Sequence, residues 1–373
     1  MRITGVECVC VGWHLDQEIR WGTMAVGTKG STLIFVHTDE GVTGIGEAGF
    51  SAAFYPSVRA VVDSVLRDAV MGEDPLEIGA LWQKMYRRTH MWGRRGMETY
   101  ALSGIDIALW DILGKSLGTP IHRMLGTVQT RLRAYAAPSL KPPHEAITDA
   151  EAAAAVGFAG VKLRGGICAK DDIQTVVGAR RAVGDAIYLM LDPNVGYDLE
   201  TAIALAPHFR DAQLYWLEEP IHTQSLPQYV DLHRELSRAT GLRLAGGESL
   251  FTPSEFVDLV TQRPFAVLQP DCTAVGGITA TVKIAGMAEA AGLLCIPHIA
   301  CSSGTGVSLA VAAQVIASLP NCPWIEYDAY EDPPGGHLIG DVFRLHDGYV
   351  QVPDGPGLGV ELDMNAVRRL AQG

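Results

Sequence analysis

Three carboxylates close consecutive apolar runs in the middle of the chain: "YLMLDPN" carries Asp192, "LYWLEEP" carries Glu218 and "LRLAGGES" carries Glu248. If those runs are neighbouring strands of a closed sheet, three anions meet in one partly buried space and raise one another's pKa. A hard divalent cation relieves that repulsion, and an all-oxygen set with open positions suits Mg2+. Any one of the three could instead cap a helix or pair with Lys or Arg, but three in succession at strand ends point to a metal. On one flank "GVKLRGG" supplies Lys162 and Arg164, spaced i and i+2 and so projecting to the same face of a strand. On the other flank "FAVLQPD" ends in Asp271 and "LLCIPH" in His298, a carboxylate and an imidazole able to act as an oriented base. Glu326 in "PWIEYD" completes the series. Together these groups describe one reaction. Mg2+ and the two cations bind a substrate carboxylate, His298 removes the proton from the adjacent carbon, and preorganised positive charge stabilises the resulting enediolate.

The elements that must position these groups follow from their spacing. Successive runs lie roughly 25 to 30 residues apart, room for one strand, one helix and two loops. With "RLRAYAA" (131–137) at the front there are eight such strands, which predicts a (β/α)8 barrel with its active site at the C-terminal strand ends. One barrel uses about 250 residues, so a chain of 373 has room for a second unit. Residues 3–12 read as a strand, 13–30 as an irregular segment, and "STLIFVHTDEGVTGIGEAGF" as a hairpin turning at "TDEG". Three helical patterns follow, ending with "GMETYALSGIDIALWDILGKSLG". The letters Gly44-x-Gly46-x-x-Gly49 match a dinucleotide fingerprint, but they close a hairpin instead of opening a helix. "PDGPGLG" likewise reads as a turn, since neither GK[ST] nor a helix follows it. The loops 13–30 and 49–57, with Trp13, His14, Arg20, Trp21, Phe54 and Tyr55, are candidates to lie over the barrel mouth.

Composition narrows the classes further. Hydrophobic residues make up 48% and charged residues 19%, a compact globular balance. A formal net charge of −13 disfavours nonspecific binding to nucleic acid or an anionic membrane. Seven cysteines without a CxxC pair suggest no disulfide framework and fit a reducing cytoplasm. No stretch approaches the roughly 18 apolar residues of a membrane span.

The motifs "VKLR", "LDPN", "WLEEP", "GGES", "LQPD", "PH" and "WIEY", with "LSGIDIALWDILGK" and the closing "DGPGLG", resemble the enolase superfamily, and within it the mandelate racemase-like group. The resemblance spans nearly the whole chain. It implies a modified TIM barrel, (β/α)7β, over residues 126–330, an N-terminal α+β capping domain over 1–125, and a segment 331–373 returning to the cap. It implies Mg2+ held by Asp192, Glu218 and Glu248, a His298–Asp271 dyad, and Glu326 as an acid hydrogen-bonded to substrate. The first Glu of "EEP" is the implied ligand, with Glu219 behind it. Lys162, Asn194, Trp21 and Arg20 are the candidate substrate contacts, and the two cap loops would contribute to substrate choice. A small carboxylate substrate and an even-numbered homo-oligomer, dimer to octamer, complete the expectation. The enediolate route with a Lys or His base and Mg2+ is a documented pattern of this superfamily.

One departure matters. Where the racemase has a second lysine base, this chain has Arg164, which stays protonated at ordinary pH. Racemisation needs groups on both faces of the reacting carbon, whereas a one-base route does not. Dehydration of an acid sugar to a 2-keto-3-deoxy acid is therefore the first expectation. Cycloisomerisation of a sugar lactone or anhydro-sugar acid is the second, a racemase or epimerase the third, and a catalytically silent binding protein the remaining class.

Overall fold

In a computed structural model, which describes residues 1–49, 51–91, 93–222, 226–300, 303–327 and 338–372, the chain begins with a long antiparallel hairpin. Strands β1 (Ile3–Trp21) and β2 (Met24–Thr38) pair from Ile3/Thr38 to Trp21/Met24, with Gly22 at φ +48 in the turn. Segment 13–30 is thus regular strand, not the irregular loop its sequence suggests. The distal half of the ribbon leaves the cap sheet, and Asp16, Gln17 and Glu18 are exposed. A ribbon with neither face fully covered carries no alternating apolar signal. A register shift between His14 and Ile19 obscures it further.

Strand β3 (Thr43–Ala48) continues the meander, pairing with β2 through Thr32↔Ala48 to His37↔Thr43. Helix Met97–Leu117 lies directly on it. A Cβ at Gly44 would stand 2.0 Å from the Ala108 carbonyl oxygen, and one at Gly46 would stand 1.9 Å from that of Gly104. The glycine pattern therefore serves close strand–helix packing. Gly46→Ala is expected to destabilise the cap by about 1–3 kcal/mol or more, since backbone on both sides must yield. An unchanged midpoint in urea unfolding would refute that account.

The eight barrel strands are β4 (Arg131–Ala136), β5 (Gly160–Arg164), β6 (Tyr188–Asp192), β7 (Leu214–Glu218), β8 (Leu244–Gly246), β9 (Val267–Leu268), β10 (Leu294–Cys295) and β11 (Ile325–Tyr327). They are parallel, in the order β10-β9-β8-β7-β6-β5-β4-β11. Helices follow each of the first seven, and both faces are buried, which is why these strands read as continuous apolar runs. Between β10 and β11 the described residues form no ladder; Cys295 N–H donates to the Asn321 carbonyl at 3.1 Å instead. After the barrel, β12 (Tyr349–Gln351) adds antiparallel to β4. Helix Met364–Leu370 and β13 (Ala371–Gln372) then reach the cap, where β13 pairs with Cys10 and Val11 of β1. Residues 328–337 lie outside the described residues. No helix among the described residues is long and apolar enough to cross a membrane.

Cap and barrel are joined where it matters for the site. Asp106 accepts hydrogen bonds from Thr279 N–H (3.0 Å) and hydroxyl (2.6 Å), and Ser103 Oγ accepts from Gly276 N–H (2.8 Å). Glu47 accepts from the Thr305 hydroxyl at 2.5 Å and from Ser308 N–H at 2.9 Å. These bonds anchor the loops that follow β9 and β10, which carry Asp271 and His298.

Candidate active site

Alternation along the strands turns Lys162 and Arg164 inward on β5, and the register places Arg164 beside Asp192 on β6. Asp192, Glu218 and Glu248 each offer an oxygen, and these lie within 4.8 Å of one another. The first two are wholly buried and the third is partly exposed. Burial, reinforced by neighbouring Glu218, pushes the Asp192 carboxyl up to about 7. Burial would also raise Glu218, but the Lys162 ammonium overcomes it and holds that carboxylate down at about 2.

Lys162 is fully buried, with Nζ 2.7 Å from Glu218 Oε1, 2.8 Å from Glu326 Oε1 and 3.8 Å from Asp192 Oδ2. Burial alone would favour the neutral amine; Glu218 and Glu326 outweigh it and hold the pKa above the ordinary lysine value. Arg164 donates to Asp192 and, at 3.2 Å, to Asn194 Oδ1. The anions that offset this inward cation pair are therefore the protein's own carboxylates.

On the other side of the mouth, His298 Nδ1 lies 2.8 Å from Asp271 Oδ2, and an isolated parallel bridge joins the two residues. Thr273 fixes the other oxygen, donating from its N–H and its hydroxyl to Asp271 Oδ1 at 2.7 Å each. The remaining ring nitrogen, Nε2, stands 3.2 Å from Glu248 Oε2 and so faces the carboxylate cluster. Burial disfavours the imidazolium, but Glu248 and the Asp271 hydrogen bond prevail and push the His298 pKa up to about 10.

Several supporting groups were not read from the sequence. Trp216 Nε1–H and Gln269 Nε2–H both donate to Glu218 Oε2 at 2.9 Å. Tyr135 donates its hydroxyl to Glu326 Oε2 at 3.2 Å, and Ile299 N–H reaches the same oxygen at 3.4 Å. A usable signal existed: Trp216 and Gln269 lie two residues before Glu218 and Asp271, hence on the same face. Tyr135 is the register partner of Glu326.

The hairpin tip rests on the mouth. A Cβ at Gly22 would come within 3.0 Å of Asn194 O, and Arg20 exchanges backbone contacts with Ser139 and Leu140. Trp21 lines a cavity of about 910 Å3 with Asn194, Glu248 and Phe251. Arg20 is not among the residues lining that cavity; its exposed guanidinium pairs with Glu18 at 2.7 Å. The ribbon's alternation turns Trp21 and Arg20 to opposite faces. Asn194 lies at the cavity wall, with its side-chain amide donating to Asp192 Oδ2 at 3.1 Å.

The donor set fits Mg2+. It is all-oxygen, and it brings three carboxylates together, two of them wholly buried.

Comparison with known proteins agrees. Residues 3–126 match the model of the mandelate racemase / muconate lactonizing enzyme N-terminal domain, and 145–366 match the enolase C-terminal domain-like model. An arabinonate dehydratase of Saccharolobus solfataricus is 32% identical over 329 residues, covering 87% of this chain and 86% of its own. A D-galactarolactone cycloisomerase of Agrobacterium fabrum is 30% identical over 381 residues, covering 98% of each. Among solved structures, a racemase from Streptomyces coelicolor with bound magnesium superposes with a TM-score of 0.89 at 29% identity, covering 99% of this chain and 100% of that one.

Proposed function

The chain belongs to the mandelate racemase/muconate lactonizing enzyme family of the enolase superfamily, and from that premise we propose that it dehydrates an acid sugar, an aldonate or aldarate, to a 2-keto-3-deoxy acid. The observation that carries this reading is the single oriented base. His298 is fixed by Asp271 and faces the carboxylate cluster, while the position available for an opposing base holds Arg164, bonded to Asp192 and Asn194.

In this reading Asp192, Glu218 and Glu248 hold Mg2+, which when bound supplies Lewis-acid charge to the substrate carboxylate. A cation held by Glu248 would offset the charge that raises His298 and leave its imidazole neutral; Nε2 then takes the C2 proton, and the C–H electron pair moves into the carboxylate to give an enediolate dianion. Lys162 and Arg164 offset that charge from fixed positions, at no cost in reorganisation during the reaction. The imidazolium then gives its proton to the C3 hydroxyl, which leaves as water as the C2–C3 double bond forms. The resulting enol tautomerises to the 2-keto-3-deoxy acid. Glu326, which accepts from Tyr135 and Ile299 N–H, is the carboxyl group that hydrogen-bonds substrate on the side toward β4.

The test is to incubate Mg2+-loaded protein with mono- and diacid sugars and their lactones in D2O and follow proton NMR. Loss of the C2 proton with new 3-deoxy methylene signals is expected. Consumption of a lactone or anhydro sugar alone would assign a cycloisomerase, the activity named for the Agrobacterium relative. Exchange at C2 with inversion of configuration and an unchanged skeleton would refute the one-base reading. Asp192→Asn is expected to abolish Mg2+ binding at millimolar metal by calorimetry, and retained binding would remove Asp192 from the ligand set.

A further inference from the structure

We propose that Glu219 is a positioning residue for the divalent-cation site, holding the end of β8 so that Glu248 is presented to Asp192 and Glu218. The inference rests on the metal reading above and adds a role that the ligand set does not contain. Glu219 directly follows Glu218, is 3% exposed, and lies at φ +29. A non-glycine residue is strained in that left-handed backbone, which persists only where its surroundings over-determine it.

Its contacts reach all three ligand-bearing segments. The Glu219 N–H donates to Ala245 O in β8 at 3.0 Å, and its carbonyl accepts from Val195 N–H, three residues past Asp192, at 2.8 Å. The carboxylate then does what the ladder no longer does. The pairing of β8 with β9 ends at Gly246↔Leu268, and the next N–H, that of Gly247, donates to Glu219 Oε1 at 2.7 Å. Gly247 sits at φ +116, a conformation open essentially to glycine, so its own sterics do little to fix the peptide that leads into Glu248. The side-chain oxygen of Glu219 is what aims it. Glu219 itself is outside the set of carboxylates whose oxygens lie within 4.8 Å of one another, which separates positioning from ligation.

The experiment is Mg2+ titration of the metal-free protein by calorimetry for the unaltered chain, Glu219→Gln and Glu219→Ala, with thermal unfolding of each in the presence and absence of Mg2+. Glutamine keeps an oxygen for the Gly247 N–H, whereas alanine removes it. By analogy with other residues that orient metal ligands, the alanine variant is expected to bind Mg2+ about 10–100-fold more weakly and the glutamine variant within about threefold of the unaltered protein. The Mg2+-induced rise in melting temperature should shrink for alanine and be preserved for glutamine. Equal weakening in both variants would overturn the proposal, because charge or direct ligation would then be the role. So would an alanine variant that melts lower without metal yet binds Mg2+ normally, a purely structural outcome. Absence of Mg2+ binding by the unaltered protein would instead overturn the metal reading itself.

Discussion

His298→Asn is expected to lower kcat by about 10^3-fold or more, near the upper range for loss of a general acid–base, while Mg2+ affinity stays nearly unchanged. Asparagine can still donate a hydrogen bond toward Asp271, whose other oxygen remains tied to Thr273, so the loop has no reason to collapse. The cap also pins that loop independently, through Asp106 to Thr279 and Ser103 to Gly276. What asparagine cannot do is accept the C2 proton or return one to the departing hydroxyl. Exchange of the C2 proton in D2O should therefore disappear together with turnover, a pairing that separates loss of the base from loss of substrate binding. The three carboxylates of the metal site belong to other strands, so calorimetric Mg2+ binding should survive. A variant that keeps substantial turnover would remove His298 from the mechanism and leave the dyad a structural feature.

The legibility of this site in the sequence follows from the barrel's own geometry. Each parallel strand is buried on both faces, so the strand announces itself as an apolar run, and the first polar residue at its C-terminal end is conspicuous. Lys162, Asp192, Glu218, Asp271 and Glu326 stand out against such runs, and all five are buried: Asp192 and Glu218 close their strands, Lys162 and Glu326 lie within theirs, and Asp271 follows β9. Trp216 escaped notice because an inward tryptophan inside an apolar run looks like core until its indole N–H is seen to meet Glu218. Gln269 and Tyr135 are hidden for the same reason, since their polar ends find partners only across the barrel. The hairpin 13–30 failed differently. Its pairing is local, but the distal ribbon has little covered surface, and burial is what writes periodicity into a sequence. Arg20 and Trp21 are adjacent letters on opposite faces of that ribbon, and only the register shows which of them turns to the cavity.

Lys162 carries the second large expectation. Its ammonium lies between Glu218 and Glu326 with no exposure to solvent, so Lys162→Met leaves a buried anionic cluster without its cation. Removing one partner from a buried ion pair costs about 3–5 kcal/mol, because the remaining charge is left uncompensated. In the intact protein Lys162 holds Glu218 down at about 2, below the ordinary carboxylate value of 4.5. That depressed value contributes stability at pH above about 4.5 and loses it as pH falls through about 2. The deficit of Lys162→Met should accordingly be largest near neutrality and should narrow as acidification lets the stranded carboxylates take up protons. Mg2+ should restore part of the lost stability by binding the same carboxylates in the folded state alone. Turnover should not return with it, because the enediolate would still lack the fixed ammonium beside its carboxylate end. Urea unfolding across pH, with and without Mg2+, measures all three effects. A variant as stable as the unaltered protein at neutral pH would mean that the cluster discharges itself by protonation, and that Lys162 is held in the barrel by its chemistry rather than by the fold's need for its charge.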